Sequence, residues 1–226
     1  MTPVQVIANA LTMLLPTILL AHQSAHHGNH WVYLLLLGSC MHLPVSCTYH
    51  LSAAFGRYTD PIDNDMRRLD QTLQHVVCVL YSYALSNGSV GYMLLNLVVN
   101  TRGVVRLWDP STSNDKRRWR PIFVSGVLYL VPILAKGEVL CFSIAFLAFL
   151  LGGTAAFVLN RSGYGSVILH LLMVVHAYAL VKAVWWFDLW LDLLCSYYVP
   201  LKGGMSPLKV LFNFFLFFLG GWARES

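Results

Sequence analysis

Three short stretches of this chain hold residue types that can do chemistry together. The first reads Ser39-Cys40-Met41-His42-Leu43-Pro44-Val45-Ser46-Cys47-Thr48-Tyr49-His50. His42, Ser46 and His50 recur at intervals of four, so in a helix they share one face. Pro44 among them would kink that helix and release a carbonyl. The second stretch, Arg67-Arg68-Leu69-Asp70-Gln71-Thr72-Leu73-Gln74-His75, holds Asp70 with Gln74 one turn on. The third carries Ser166 and His170 one turn apart, then His176. Six residues separate His170 from His176, about 120° around a regular helix.

Such a set suits metal-assisted hydrolysis. Neutral imidazoles are good zinc ligands, and a catalytic zinc takes three protein ligands and leaves one position open for water. A nearby carboxylate can take a proton from water or orient it. A serine beside the metal can polarise a carbonyl or hold a ligand in place. The three stretches offer the imidazoles of His42, His50, His170 and His176, the Asp70 carboxylate and the Ser46 and Ser166 hydroxyls for such chemistry, and spacing leaves open which of them act. Each residue also has a plainer reading. A membrane histidine such as His75 or His176 can simply link two helices. Asp70 can complement a helix dipole.

The elements that must position these residues are helices in a bilayer. Of 226 residues, 57% are hydrophobic and only 11% charged, whereas soluble domains carry about 25% charged residues. The expected fold is all-α, a polytopic membrane helix bundle with seven spanning helices plus a C-terminal hydrophobic segment. Spans of roughly 20 apolar residues are expected near 4–22, 31–54, 69–87, 89–107, 120–135, 138–160 and 164–187. The fifth is short and contains Pro132, which predicts a kink or a re-entrant segment. Residues 1–189 would form the seven-helix domain, and 190–226 a hydrophobic hairpin or eighth helix. The apolar stretch Val4–Ala21 lacks a basic leader and a small-residue cleavage site, so it reads as a retained first helix rather than a signal peptide. The five cysteines lie in apolar runs without a CxxC pair, against a disulfide framework or zinc finger.

The loops suggest an orientation. The even-numbered loops and their helix ends carry ten basic residues and the odd-numbered loops one, Lys136. The positive-inside rule then puts the even loops and the N-terminus in the cytosol. The run Lys116-Arg117-Arg118-Trp119-Arg120 abuts a membrane helix, so its expected partner is lipid headgroups and not nucleic acid. The first loop, with His22, His26, His27 and His30, reads as a solvated loop. Asn87-Gly88-Ser89 matches a glycosylation sequon but lies close to the membrane. With this topology, Ser46, His50, Asp70 and His170 come to one membrane depth from three separate segments. Charge in hydrocarbon costs about 2.5–3.5 kcal/mol on insertion scales, so polar groups retained at one depth are functional candidates.

These residues resemble the CREST superfamily of seven-helix membrane proteins. That group includes alkaline ceramidases, progestin/adiponectin receptors, hemolysin III proteins, Per1-type factors and myomaker relatives. Its pattern is Ser-x3-His late in the second helix, Asp early in the third and His-x3-His in the seventh. Ser46-Cys47-Thr48-Tyr49-His50, Arg67-Arg68-Leu69-Asp70 and His170 match in place. Ser166 stands where the family has its first seventh-helix histidine, a departure that weakens the metal site. The resemblance implies a zinc-dependent hydrolase of a lipid amide or ester, with membrane lipids as partners and a role in lipid metabolism. It implies His50 and His170 as zinc ligands and Asp70 and Ser46 as catalytic groups, with His42, Ser166 and His176 as supplementary ligand candidates. The alternative it implies is a non-enzymatic receptor or myomaker-like remodelling protein with a degraded metal site. A channel or transporter would instead need polar residues along a continuous path.

Overall fold

The computed structural model describes residues 3–57, 64–109, 115–159 and 164–196. Among these residues the chain is all helix, without strands. Its elements are α1 (Pro3–His27), α2 (His30–Ala54), α3 (Asp65–Leu85), α4 (Val90–Trp108), α5 (Asp115–Ala135), α6 (Val139–Val158) and α7 (Gly165–Ser196). Three stretches are long and apolar enough to cross a membrane: His30–Ala53, Val139–Val158 and Gly165–Trp185. Trp119–Ala135 is apolar but shorter.

Helix starts follow local capping chemistry. The Asn29 side chain accepts from the Trp31 N–H at 2.7 Å, and that of Asn64 from the Arg67 N–H at 2.9 Å. Each satisfies a donor that the first turn of a helix leaves over. The Asn64 cap lets α3 begin at Asp65, a turn ahead of the apolar run, so Arg67 and Asp70 are already helical. α5 likewise begins at Asp115 and continues through Pro121 and Pro132. α7 continues through Ser196, past the apolar span expected to end near 187. The proposed hairpin or eighth helix falls mainly on 197–226, outside the described residues.

α1 packs between α2 and α7; α2 packs on α3, α3 on α5, α5 on α6 and α6 on α7. These six helices close a ring, with α4 docked against α3 and α5. Gly152 permits the close α6–α7 approach: a Cβ there would lie 2.9 Å from Leu169 Cδ1. The outside of the bundle is apolar, with Leu11, Val98, Leu140, Leu147 and Leu171 exposed, while Asn9, Ser46, Asp70, His75, Asn100 and His170 are buried. The interior is also divided along its length. Leu20, Val32, Leu35, Leu85, Leu130, Ile133 and Val184 form an apolar core at the end reached by α1, α3, α5 and α7 as they finish. The buried polar groups Asn9, Ser46, Asp70, Gln71 and His170 gather at the opposite end.

Candidate functional site

The polar end of the bundle draws side chains from α1, α2, α3 and α7. Asp70 lies five residues beyond Asp65, about 7–8 Å along the axis of α3. Its carboxylate is the centre of the group. Asp70 Oδ1 is 2.9 Å from His42 Nε2, and with a carboxylate as acceptor the imidazole N–H donates. Gln74 Nε2 donates to Oδ2 over a longer 3.4 Å. The Ser46 hydroxyl also bonds to this carboxylate. The α2 spacing of four thus delivers two of its three polar residues to one partner. A buried charge in an apolar bundle survives only when donors surround it, and α2 and α3 supply them. The Asp70 side chain is 8% exposed and that of His42 25%.

His50 and His170 meet on the other side of this group. Their rings are 5.6 Å apart, centre to centre, and nearly perpendicular at 89°. Tyr49, beside His50, reaches α3 through a 3.4 Å contact from Arg67 Nη1 to its hydroxyl. His170 Nδ1 lies 3.2 Å from Thr12 Oγ1 of α1, and the Asn9 backbone carbonyl accepts from the same ring. Thr12 Oγ1 also donates to that carbonyl at 3.1 Å and to the Ala8 carbonyl at 2.8 Å. One ring nitrogen of His170 is therefore oriented by α1, much as a hydrogen bond to one nitrogen orients a metal-binding histidine.

Of the residues expected at a site, Ser46, His50, Asp70 and His170 come together. His42 joins them as the partner of Asp70. Ser166 is half-buried one turn before His170. His176 lies elsewhere, between α5, α6 and α7. Its Nδ1 donates to the Ala145 carbonyl at 2.8 Å, so its Nε2 accepts from the Tyr129 hydroxyl at 2.6 Å. Both nitrogens are used, which leaves none for a metal. Its spacing of six residues from His170 turned it to a different interface.

In a second polar group His75 links helices, the plainer reading of that residue, through partners that the sequence did not indicate. His75 Nδ1 donates to Asn100 Oδ1 at 2.8 Å and lies 3.2 Å from Ser125 Oγ, joining α3, α4 and α5. Gly103 gives the ring room, since a Cβ there would lie 2.6 Å from His75 Cε1. Asn9 and Thr12 were missed as well. Their signal was available: Asn9 and Thr12 stand three apart, one helical turn, within the mostly apolar stretch Val4–Ala21.

The donors fit a metal in part. Two imidazoles sharing a tetrahedral zinc, at about 2.0–2.1 Å per nitrogen, hold their ring centres roughly 5 Å apart. The 5.6 Å between His50 and His170 is close to that separation. The third imidazole of the group, His42, is bonded through Nε2 to Asp70, and the residue one turn before His170 is Ser166. Among the described residues, no three His, Cys, Asp or Glu side chains are grouped to hold an ion. No protein-family model, curated protein or solved structure matches the chain.

Proposed function

We propose that the chain is a multi-pass membrane protein of the CREST type, with seven spanning helices and a cytosolic N-terminus, and that it hydrolyses a lipid amide or ester at the Ser46–His50–Asp70–His170 group. The observation that carries this reading is the convergence of those four residues, from three helices, on one end of a bundle whose exterior is apolar. That end also carries Arg57, Arg67, Arg68 and Arg106, which suit the cytosolic face. Lipid enters sideways, between helices, and presents its carbonyl near the inner headgroups.

His50 and His170 are the residues that would hold zinc. Zinc so held supplies Lewis acidity toward a carbonyl oxygen. Asp70 orients the attacking water and takes its proton at Oδ2, while His42 fixes Oδ1 and shares the carboxylate charge. Water adds to the carbonyl carbon, and as Asp70 takes the proton the Ser46 hydroxyl turns from the carboxylate to donate to the developing oxyanion. The carbonyl–nitrogen or carbonyl–oxygen bond then breaks. The proton passes from Asp70 to the leaving amine or alcohol, and the fatty acid is released.

Metal analysis and hydrolysis assays on purified protein test this reading. It expects zinc near one ion per chain and release of fatty acid from a long-chain acyl amide or ester, both lost in a His50→Ala, His170→Ala double variant. Zinc-free wild type, or zinc retained in the double variant, overturns it. One observation favours a second reading, a receptor or remodelling protein without turnover. Asp70 and His170 already find partners in His42, Gln74 and Thr12 without a metal, and Ser166 replaces a family histidine. Stable lipid binding without zinc or product would support it.

A further inference from the structure

Asn9 is fully buried, at 0% exposure, and neither Nδ2 nor Oδ1 has a hydrogen-bond partner. In an apolar bundle such an amide is costly unless something occupies its valences. Its position is specific. Thr12 Oγ1 bridges the Asn9 backbone carbonyl and the His170 ring, at 3.1 Å and 3.2 Å. The residue that carries the unpartnered amide thus adjoins the group proposed above, on α1, which otherwise brings it only Thr12.

We propose that the Asn9 side chain is a ligand-positioning group of this pocket, taking a polar lipid head that offers both an acceptor and a donor. An amide presents N–H donors at Nδ2 and an acceptor at Oδ1. The complementary head carries a carbonyl oxygen with a hydroxyl or N–H a few bonds away. A head with acceptors alone leaves Oδ1 unpaired, and a site built for a donor discriminates against ligands lacking it. The two orphan amide atoms of Asn9 thus become the specificity element, separate from the residues that carry the reaction. The inference rests on the reading of this cluster as a lipid site, but it does not need the metal.

The test uses the full chain in phosphatidylcholine nanodiscs, with thermal unfolding as the readout. Three probes separate the chemistries: N-oleoylethanolamine (amide and hydroxyl), monoolein (ester and hydroxyls) and methyl oleate (acceptors alone). The wild type is expected to gain thermal stability from one or both of the first two probes and not from methyl oleate. Asn9→Leu is expected to bind whichever of the first two probes stabilises the wild type at least about tenfold more weakly, while its ligand-free melting temperature stays level or rises, because an orphan amide has been removed. Asn9→Asp keeps the shape, loses the Nδ2 donors and serves if the leucine variant does not fold; it too should lose the shift. An unchanged shift in both variants overturns the inference, as does a wild type that responds to none of the probes or equally to all three. Zinc content, measured in parallel, separates the two claims. An Asn9-dependent shift in zinc-free protein keeps this inference and removes the hydrolase. Stoichiometric zinc with an Asn9-independent shift does the reverse.

Discussion

His170 and His176 sit six residues apart on α7, and their surroundings differ in a way that composition does not show. His176 spends both nitrogens inside the protein, on the Ala145 carbonyl and the Tyr129 hydroxyl. It is a rivet between α5, α6 and α7. His170 is held by α1 at Nδ1 through Thr12, and its ring stands across from His50 beside a buried carboxylate and an orphan amide. A buried imidazole with every valence satisfied stabilises. One set among unsatisfied groups is available for ligands. Burial alone does not separate the two, since both are buried; the groups that surround each ring do.

The largest expected consequence of this contrast is in stability. His176→Ala strands the Tyr129 hydroxyl in the interior and should cost about 1–3 kcal/mol. Denaturant unfolding in detergent measures it, and the variant should keep whatever metal the wild type holds. A loss of metal with unchanged stability would reverse the assignment of the two histidines. Next comes Ser166→His, which adds an imidazole one turn before His170 on the same face. Zinc affinity, followed by competition with a chelating dye, should tighten about tenfold or more, since a catalytic zinc takes three protein ligands. An unchanged affinity would mean that Ser166 does not face the pair. The smallest effect belongs to Thr12→Val. It removes one interhelical hydrogen bond to His170, worth roughly 0.6 kcal/mol on average in membrane bundles. Stability should therefore hardly move, while zinc binding weakens because the ring is less well oriented. A stability loss as large as that of His176→Ala would make Thr12 a rivet too.

Much of the helix order was legible because apolar runs and helical segments coincide. The expected 31–54 corresponds to α2, His30–Ala54, and 138–160 to α6, Val139–Val158. The misses fall where the helix outruns the apolar stretch. Asn64 caps α3 a turn early, α5 starts in the basic run at Asp115, and α7 continues to Ser196. Hydropathy reports which residues suit hydrocarbon, whereas capping and backbone bonding decide where a helix starts.

The polar group itself was partly legible. Ser46, His50, Asp70 and His170 stand out because their side chains are expensive in an apolar setting, and helix direction brings them to one depth. Their pairing was not legible. Whether Asp70 meets His42 or His50 depends on the rotation of α2 against α3, which spacing along one helix cannot fix. The approach of α1 to α7, which brings Asn9 and Thr12 to His170, depends on ring closure of the whole bundle. His75 was read as a helix-linking histidine, but its partners Asn100 and Ser125 were not legible for the same reason, since the three lie on three helices.

The most direct test of the central claim compares metal content in two single variants, His170→Ala and His176→Ala, purified under identical conditions with the wild type. If His170 belongs to a ligand site and His176 to a packing interface, zinc should fall to background in the first and remain at the wild-type level in the second. Equal zinc in both variants, whether retained or lost, would contradict the division of α7 on which the account rests.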